Sequence, residues 1–164
     1  MRANSPLPIA LCILTIATAS IAGALIFEAL GFAPCELCLK ERIPYYTAIP
    51  LAGLAAFFAA RGSKRFLRAA FAGLALVFSA SAGLGAYHAG VEWGFWPGPD
   101  ECTGVLERAP SVEQFLSQLQ SAKVVRCDAP ALRIFGLSLA GWNAVISAGL
   151  ALASIGALSR RKLR

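Results

Sequence analysis

Four long apolar runs constrain this chain more than any other feature of its sequence. They lie at about residues 7–27, 43–60, 66–87 and 139–158. Each approaches or reaches the roughly 20 residues that an α-helix needs to cross a bilayer. A soluble domain of 164 residues could not bury a hydrophobic content of 57%, because small domains have too much surface for their core. The sequence therefore predicts an all-α membrane protein, a single domain over residues 1–164 built as a bundle of four transmembrane helices.

Basic residues orient the predicted bundle. Nine of the fifteen lysine and arginine residues lie on one side of the bundle. They are at the two termini, within a short loop at about residues 61–65, and just after that loop. By the positive-inside rule this side is cytoplasmic, so both termini lie inside and the loops at about 28–42 and 88–138 lie outside. Membrane topology thus accounts for the net charge of +6, and no nucleic-acid partner is expected. The nine residues are Arg2, Arg61, Lys64, Arg65, Arg68, Arg160, Arg161, Lys162 and Arg164.

The first run has a second interpretation, as a cleaved signal peptide. Arg2 precedes a short apolar stretch, and Ala17-Thr18-Ala19 resembles a cleavage site. Cleavage would leave three helices in the same orientation, so the charges do not decide between the two. Because the apolar run continues unbroken to Phe27, which a signal peptide does not need, we expect the segment to remain as the first helix.

Four of the five cysteines lie in the two outer loops. Cys12 falls within the first helix and is expected to be a small packing residue. Cys35 and Cys38 lie in the first outer loop, and Cys102 and Cys127 in the second. An even number of cysteines facing an oxidising compartment is typical of disulfide-bonded proteins.

Structural disulfides suit the second loop better than the first. A Cys102–Cys127 bridge would close about 26 residues and contribute about 3–4 kcal/mol in the chain-entropy model. A Cys35–Cys38 bridge would constrain almost nothing, whereas C-x-x-C pairs are a recurring redox device. Zinc would need four thiolates from two distant loops, all reduced outside the cytoplasm, so no metal is expected. The spacing thus favours a redox pair over a structural pair, and either of these over a metal site.

The surroundings of Cys38 bear on its reactivity. Cys38 falls just before or within the first turn of the second helix, where the helix N-terminus would stabilise a thiolate. Arg42 follows four residues later, on the same helical face. Pro44 favours a helix start nearer Ile43, because proline prefers a first helical turn. From spacing alone, Arg42 could equally be an arginine at the membrane rim whose charge reaches into water.

Residues 34–42, PCELCLKER, resemble the P-C-x-L-C-x-x-E-R signature of the DsbB family of disulfide bond formation proteins. The similarity extends over nearly the whole chain, since that family also has four helices, cytoplasmic termini and two cysteines in each outer loop. The resemblance implies a quinone-dependent thiol oxidase of the bacterial inner membrane. Such an enzyme re-oxidises a periplasmic thioredoxin-like dithiol oxidase, a DsbA-like partner, and passes the electrons to the membrane quinone pool. Ubiquinone is the expected quinone, with menaquinone as the alternative.

The resemblance also implies roles for the four loop cysteines as catalytic residues. The partner's thiolate would attack Cys102 in a Cys102–Cys127 bridge. The released Cys127 would then attack Cys35 and free Cys38 as a thiolate. These steps are ordinary thiol–disulfide exchange, and the Cys38 thiolate would finally donate electrons to quinone.

Two further residues are implied at the quinone. Arg42 would stabilise the developing negative charge, and His88, the only histidine, would lie near the quinone as a proton source. The alternative for His88 is a rim histidine satisfied by water or backbone. In the second loop, Val112, Phe115, Leu116 and Leu119 recur at helical spacing after a possible N-cap at Ser111. They predict a short amphipathic helix lying on the outer membrane surface.

Two other classes of function remain as alternatives. A vitamin K epoxide reductase-like enzyme also combines four helices, C-x-x-C and quinone chemistry, but its C-x-x-C comes late in the chain, whereas here it begins at Cys35. The other alternative is a non-enzymatic membrane subunit whose disulfides are structural.

Overall fold

The fold is a bundle of four long helices, known from a computed structural model that describes residues 6–99, 111–112 and 126–159. All four helices are long and apolar enough to cross a membrane, which confirms the predicted fold class. A two-stranded antiparallel hairpin precedes the last helix, pairing Arg133 with Ser138 and Ile134 with Leu137. The elements are α1 (Pro6–Ala29), α2 (Glu36–Arg61), α3 (Lys64–Glu92), β1 (Arg133–Ile134), β2 (Leu137–Ser138) and α4 (Leu139–Ser159).

Small residues allow the helices to pack closely. Helix α3 packs against both α2 and α4, and α1 packs mainly against α2. A Cβ atom at Gly85 of α3 would lie 2.8 Å from the backbone nitrogen of Ala144 in α4, so only glycine permits this approach. Leu76 and Leu152 face outwards and are 74% and 69% exposed. An apolar outer surface of this kind fits contact with lipid.

Helix α2 begins earlier than the proline pattern suggests. Its first residue is Glu36 rather than one near Ile43, so the loop before it is much shorter than about residues 28–42. The Cys35 side chain caps the helix, and Glu36 pairs with Lys40 one turn later at 3.5 Å. These contacts favour an early start, while Pro44 removes only one hydrogen bond from inside the helix.

The other helix bounds also shift. Helix α3 runs to Glu92, past the expected end near residue 87, so His88 lies within the helix. Only Gly62 and Ser63 separate α2 from α3, and Gly62 ends α2 with a left-handed φ of 75°. Helix α4 starts where expected, with the Ser138 hydroxyl accepting the backbone N–H of Gly141 at 3.1 Å.

Two expectations about single segments have different outcomes. Cys12, expected to be a small packing residue, is exposed on α1 and lies outside the buried core. The buried residues of that helix are Ala10, Ile13 and Ala17. Of the amphipathic helix expected from Val112 onwards, only Val112 lies among the described residues, so that helix stays a prediction.

Candidate active site

Cys35 and Cys38 lie together at the N-terminus of α2. Cys35 is the N-cap residue, and its sulfur accepts the backbone N–H of Cys38 at 3.3 Å. The two sulfurs lie 2.9 Å apart, and both cysteines are free thiols. The hydrogen between the two sulfurs belongs to Cys38, because the Cys38 thiol lowers the pKa of Cys35 and can do so only as the donor. The pair is thus positioned to form or break a disulfide with little movement.

This arrangement lowers the pKa of the Cys35 thiol to about 4. The thiol hydrogen bond from Cys38 is the largest cause, burial of Cys35 opposes it, and His88 and the Cys38 N–H add to the lowering. The early start of α2 therefore changes the expected assignment. The helix N-terminus stabilises a thiolate at Cys35, which caps the helix, rather than at Cys38, which lies in its first turn.

His88 lies against Cys35 and is held there by Glu41. Its Nε2 is 3.7 Å from Cys35 Sγ, and its Nδ1 donates to Glu41 Oε1 at 2.8 Å. His88 is 2% and Glu41 8% exposed, so this contact is buried. Since a carboxylate only accepts, the Glu41 contact fixes the hydrogen on Nδ1 and leaves Nε2 facing the sulfur.

A buried polar network continues from Glu41 into the bundle. Asn143 of α4 donates to Glu41 Oε2 at 2.9 Å and accepts the Tyr45 hydroxyl at 2.8 Å. The same hydroxyl lies 3.0 Å from Ser147, whose hydroxyl donates to Ser81 at 2.9 Å. Buried polar groups are costly without partners, so the network fixes α2, α3 and α4 relative to one another at the level of the cysteines.

An apolar cavity of about 310 Å³ opens beside Cys38. Cys38, Glu41 and Arg42 of α2 contribute to its lining together with apolar residues of α1 and α4, including Phe27 and Ile146. The Arg42 guanidinium, whose side chain is 12% exposed, donates to Glu28 Oε2 at 2.6 Å. The structure thus places Arg42 and Cys38 at the same cavity, as their shared helical face predicts. His88 is not among the lining residues, because it faces Cys35 instead.

Cys127 of the second loop reaches the first pair. It is disulfide-bonded and 2% exposed, and it belongs to a buried cluster with Cys35, Leu37 and Val91, against which Cys38 packs. Three of the four loop cysteines expected to be catalytic therefore come together. The fourth, Cys102, lies outside the described residues, so the Cys102–Cys127 pairing stays a prediction.

Comparison with known proteins assigns the family. Residues 6–157 match the family model described as disulfide bond formation protein DsbB. The chain belongs to the DsbB family. An uncharacterized protein of Rickettsia prowazekii (strain Madrid E) is 27% identical over 141 residues, covering 84% of this chain and 78% of that protein. The DsbB assignment confirms the resemblance and argues against the vitamin K epoxide reductase-like alternative.

DsbB proteins are four-helix proteins of the inner membrane that act in disulfide bond formation. The chain is accordingly a multi-pass membrane protein of that process, and its family implies disulfide oxidoreductase activity. The DsbB assignment therefore also argues against the non-enzymatic subunit with purely structural disulfides.

Sequence reasoning missed the residues that hold His88 in place. The sequence identifies Glu41 only as the glutamate of the P-C-x-L-C-x-x-E-R signature, and it predicts no part in this network for Asn143 or Tyr45. One signal was available for Glu41, because a glutamate near the end of an apolar helix needs a partner and the chain has one histidine. For Asn143, which is 102 residues from Glu41, the sequence carries no comparable signal.

Proposed function

We propose that the chain is a thiol:quinone oxidoreductase that re-oxidises a DsbA-like dithiol oxidase of the periplasm and reduces membrane quinone. One observation carries this proposal: the C-x-x-C pair lies between the two places that the reaction needs. Cys35 packs in one buried cluster with the disulfide-bonded Cys127, while Cys38 lines the apolar cavity. Electrons that enter at the second loop thus have a short route to a ligand in the cavity.

The cavity suits a quinone head group. Its volume of about 310 Å³ and its apolar lining fit a small ring compound, and binding pockets typically begin at roughly 300 Å³. Arg42 supplies a fixed positive charge beside Cys38, which would stabilise the anionic character that quinone acquires on reduction. The residues present therefore fit this cofactor, which supplies the two-electron acceptor.

The reaction proceeds by exchange followed by electron transfer. A partner thiolate attacks Cys102 of the Cys102–Cys127 bridge, and resolution of the mixed disulfide releases the partner oxidised. Cys127 attacks Cys35 of the Cys35–Cys38 disulfide, which frees Cys38 as a thiolate. Cys102 then attacks Cys127 of the inter-loop bridge, which restores the Cys102–Cys127 disulfide and leaves Cys35 and Cys38 as a dithiol. Two electrons leave through Cys38, which lines the cavity, as the Cys35–Cys38 disulfide re-forms. Overall, the partner's dithiol becomes a disulfide and quinone becomes quinol, with two electrons and two protons transferred.

His88 and Glu41 offer a route for the protons. His88 Nε2 faces Cys35, and its Nδ1 contacts Glu41, which itself lines the cavity. The proton that His88 holds against the Cys35 thiolate can pass through the imidazole to Glu41 at the cavity wall. The role of His88 proposed here is therefore proton transfer from the cysteine side rather than direct contact with quinone.

The redox scale explains why quinone is the required acceptor. DsbA-type couples lie at about −120 mV, while a glutathione buffer of the endoplasmic-reticulum type lies at about −200 mV. Such a buffer falls short by about 80 mV, or about 3.7 kcal/mol for two electrons. A lipid-soluble oxidant is a stronger acceptor, and a chain within the membrane can reach it.

The test is a coupled turnover assay under anaerobic conditions. The purified chain is mixed with ubiquinone and a reduced DsbA-like protein, and partner thiols and oxidised quinone are followed together. We expect two partner thiols to disappear for each quinone reduced, and we expect Cys38→Ala to abolish quinone reduction. Oxidation of the partner without quinone consumption would contradict the proposal. Replacing ubiquinone by menaquinone identifies the quinone that is used.

A further inference from the structure

Three potential metal ligands converge where the redox pair meets α3. Cys35 Sγ, Cys38 Sγ and His88 Nε2 all lie within 4.8 Å of one another. Tetrahedral zinc with bonds of about 2.0–2.3 Å places its ligand atoms roughly 3.3–3.8 Å apart. The 3.7 Å between Cys35 and His88 fits that separation, and the two sulfurs, now 2.9 Å apart, need to open only slightly.

Glu41 orients the histidine as a carboxylate does in many zinc sites. It accepts the Nδ1 hydrogen at 2.8 Å and so directs Nε2 at the sulfurs, where a bound cation would take the place of the Nε2 hydrogen. A ligating histidine almost always has such a partner on its other nitrogen, which fixes the tautomer and the ring orientation. The supporting contact is therefore already in place around the three ligands.

Glu92 provides a second, independent observation. Its side chain is 5% exposed, and its Oε1 lies 4.0 Å from His88 Nε2. Its other oxygen, Oε2, is buried and has no hydrogen-bond partner among the described residues. A buried carboxylate with one oxygen unpartnered is unfavourable, and a cation bound beside His88 would offset its negative charge.

We propose that the reduced pair forms a binding site for a thiophilic divalent cation such as Zn²⁺. Cys35, Cys38 and His88 supply the three ligands that already converge, and the neighbouring Glu92, 4.0 Å from His88, turns its carboxylate towards them as the fourth. Each bound cation displaces the thiol hydrogens that remain on the two cysteines and the Nε2 hydrogen of His88, and no electron is transferred. This site differs from the four-thiolate zinc site considered from the sequence, because Cys127 takes no part. The site exists only while both cysteines are thiols, so oxidation to the disulfide removes it.

The cation would block the proposed redox cycle reversibly. With both sulfurs coordinated, neither is free to attack or to donate electrons, and the pair would be held reduced until the cation leaves. This consequence goes beyond the proposed function, and the binding itself requires only that Cys35 and Cys38 be reduced. Metal binding and quinone reduction can therefore fail independently.

The experiment uses the full chain in detergent, carrying Cys12→Ser, Cys102→Ser and Cys127→Ser so that the redox pair supplies the only thiols. Zn²⁺ alone is titrated calorimetrically into the reduced protein under anaerobic conditions, and Cd²⁺ reports thiolate coordination by its charge-transfer absorbance. We expect one cation per chain, a thiolate-to-Cd²⁺ band, and protection of both thiols from alkylation. After oxidation of the pair, binding should disappear. Equal binding to the oxidised protein would overturn the proposal.

Variants test the ligand set. His88→Ala and Glu92→Gln should each weaken binding at least tenfold, and Glu41→Gln should weaken it by about 10- to 100-fold through loss of histidine orientation. Glu36→Gln is the matched control, because Glu36 carries the same charge on the same helix but points to the surface and pairs with Lys40. Circular dichroism checks that each variant is folded. Unchanged affinity in His88→Ala or in Glu92→Gln would contradict the four-ligand site.

Discussion

Replacement of Cys38 by alanine should raise the pKa of Cys35, because the Cys38 thiol is the largest cause of its lowering. A hydrogen bond to a charged group contributes about 1.5–3 kcal/mol. Its loss should move the pKa of Cys35 from about 4 to about 5–6. A thiolate forms above its pKa, so at pH 5 the thiolate fraction should fall from about 90% to between about 10% and 50%.

The assay is a pH titration of the ultraviolet absorbance of the thiolate, in protein that carries Cys12→Ser, Cys102→Ser and Cys127→Ser. Cys38→Ser is the matched control, because its hydroxyl can still donate to Cys35 and should keep the pKa closer to about 4. His88→Ala should raise the pKa less than Cys38→Ala does, since the His88 contact is the longer one at 3.7 Å. An unchanged midpoint in Cys38→Ala, or a larger change in His88→Ala, would refute this account of Cys35.

Three further predictions concern the quinone site, the order of the exchange steps and the membrane orientation. Arg42→Ala should raise the KM for quinone about tenfold, while thiol exchange with the partner stays normal. The KM of Arg42→Lys should lie between those of the wild type and Arg42→Ala. Normal quinone kinetics in folded Arg42→Ala would leave Arg42 as an anchor at the membrane rim. Cys127→Ser should trap a mixed disulfide between the partner and Cys102, visible on a non-reducing gel, whereas trapping only through Cys127 in a Cys102 variant would reverse their order. All four loop cysteines of the reduced protein should react with a membrane-impermeant thiol reagent added from the periplasmic side, and labelling only from the cytoplasmic side would contradict the orientation.

The sequence was sufficient for the architecture because membrane-spanning segments follow from length and hydropathy alone. A segment within lipid must hydrogen-bond its own backbone groups, because no water is present to do so. A long apolar run such as that of α3 therefore has few possible structures besides a helix. The shared cavity of Cys38 and Arg42 was also predictable, because residues four apart lie on one face of a helix.

The start of α2 was not predictable from local preference. Pro44 suggests a helix start nearby, yet the Cys35 cap and the Glu36–Lys40 pair extend the helix to Glu36. Seven residues of additional helix move the cap to Cys35 and change which cysteine the helix N-terminus stabilises. A general propensity was overridden here by specific contacts that only the folded segment makes.

The environment of His88 depends on tertiary contacts that no local pattern encodes. Its partners Cys35 and Glu41 are 53 and 47 residues away in the chain. The resemblance to the DsbB family implied a histidine close to quinone, whereas the structure places His88 on the cysteine side and lets Glu41 reach the cavity. A family motif thus identified the residue, and the three-dimensional packing determined which group it contacts.

The most direct test of the proposed function is to count free thiols after quinone is added to the fully reduced chain, without any partner and without oxygen. The reduced protein has five cysteine thiols, and excess ubiquinone should leave one, Cys12, as the two loop pairs re-form. The Cys38→Ala variant should retain its thiols under the same conditions, because the electrons then have no exit to the cavity. If the wild-type chain also keeps its five thiols in the presence of quinone, the chain is not a quinone-dependent oxidase and the account is wrong.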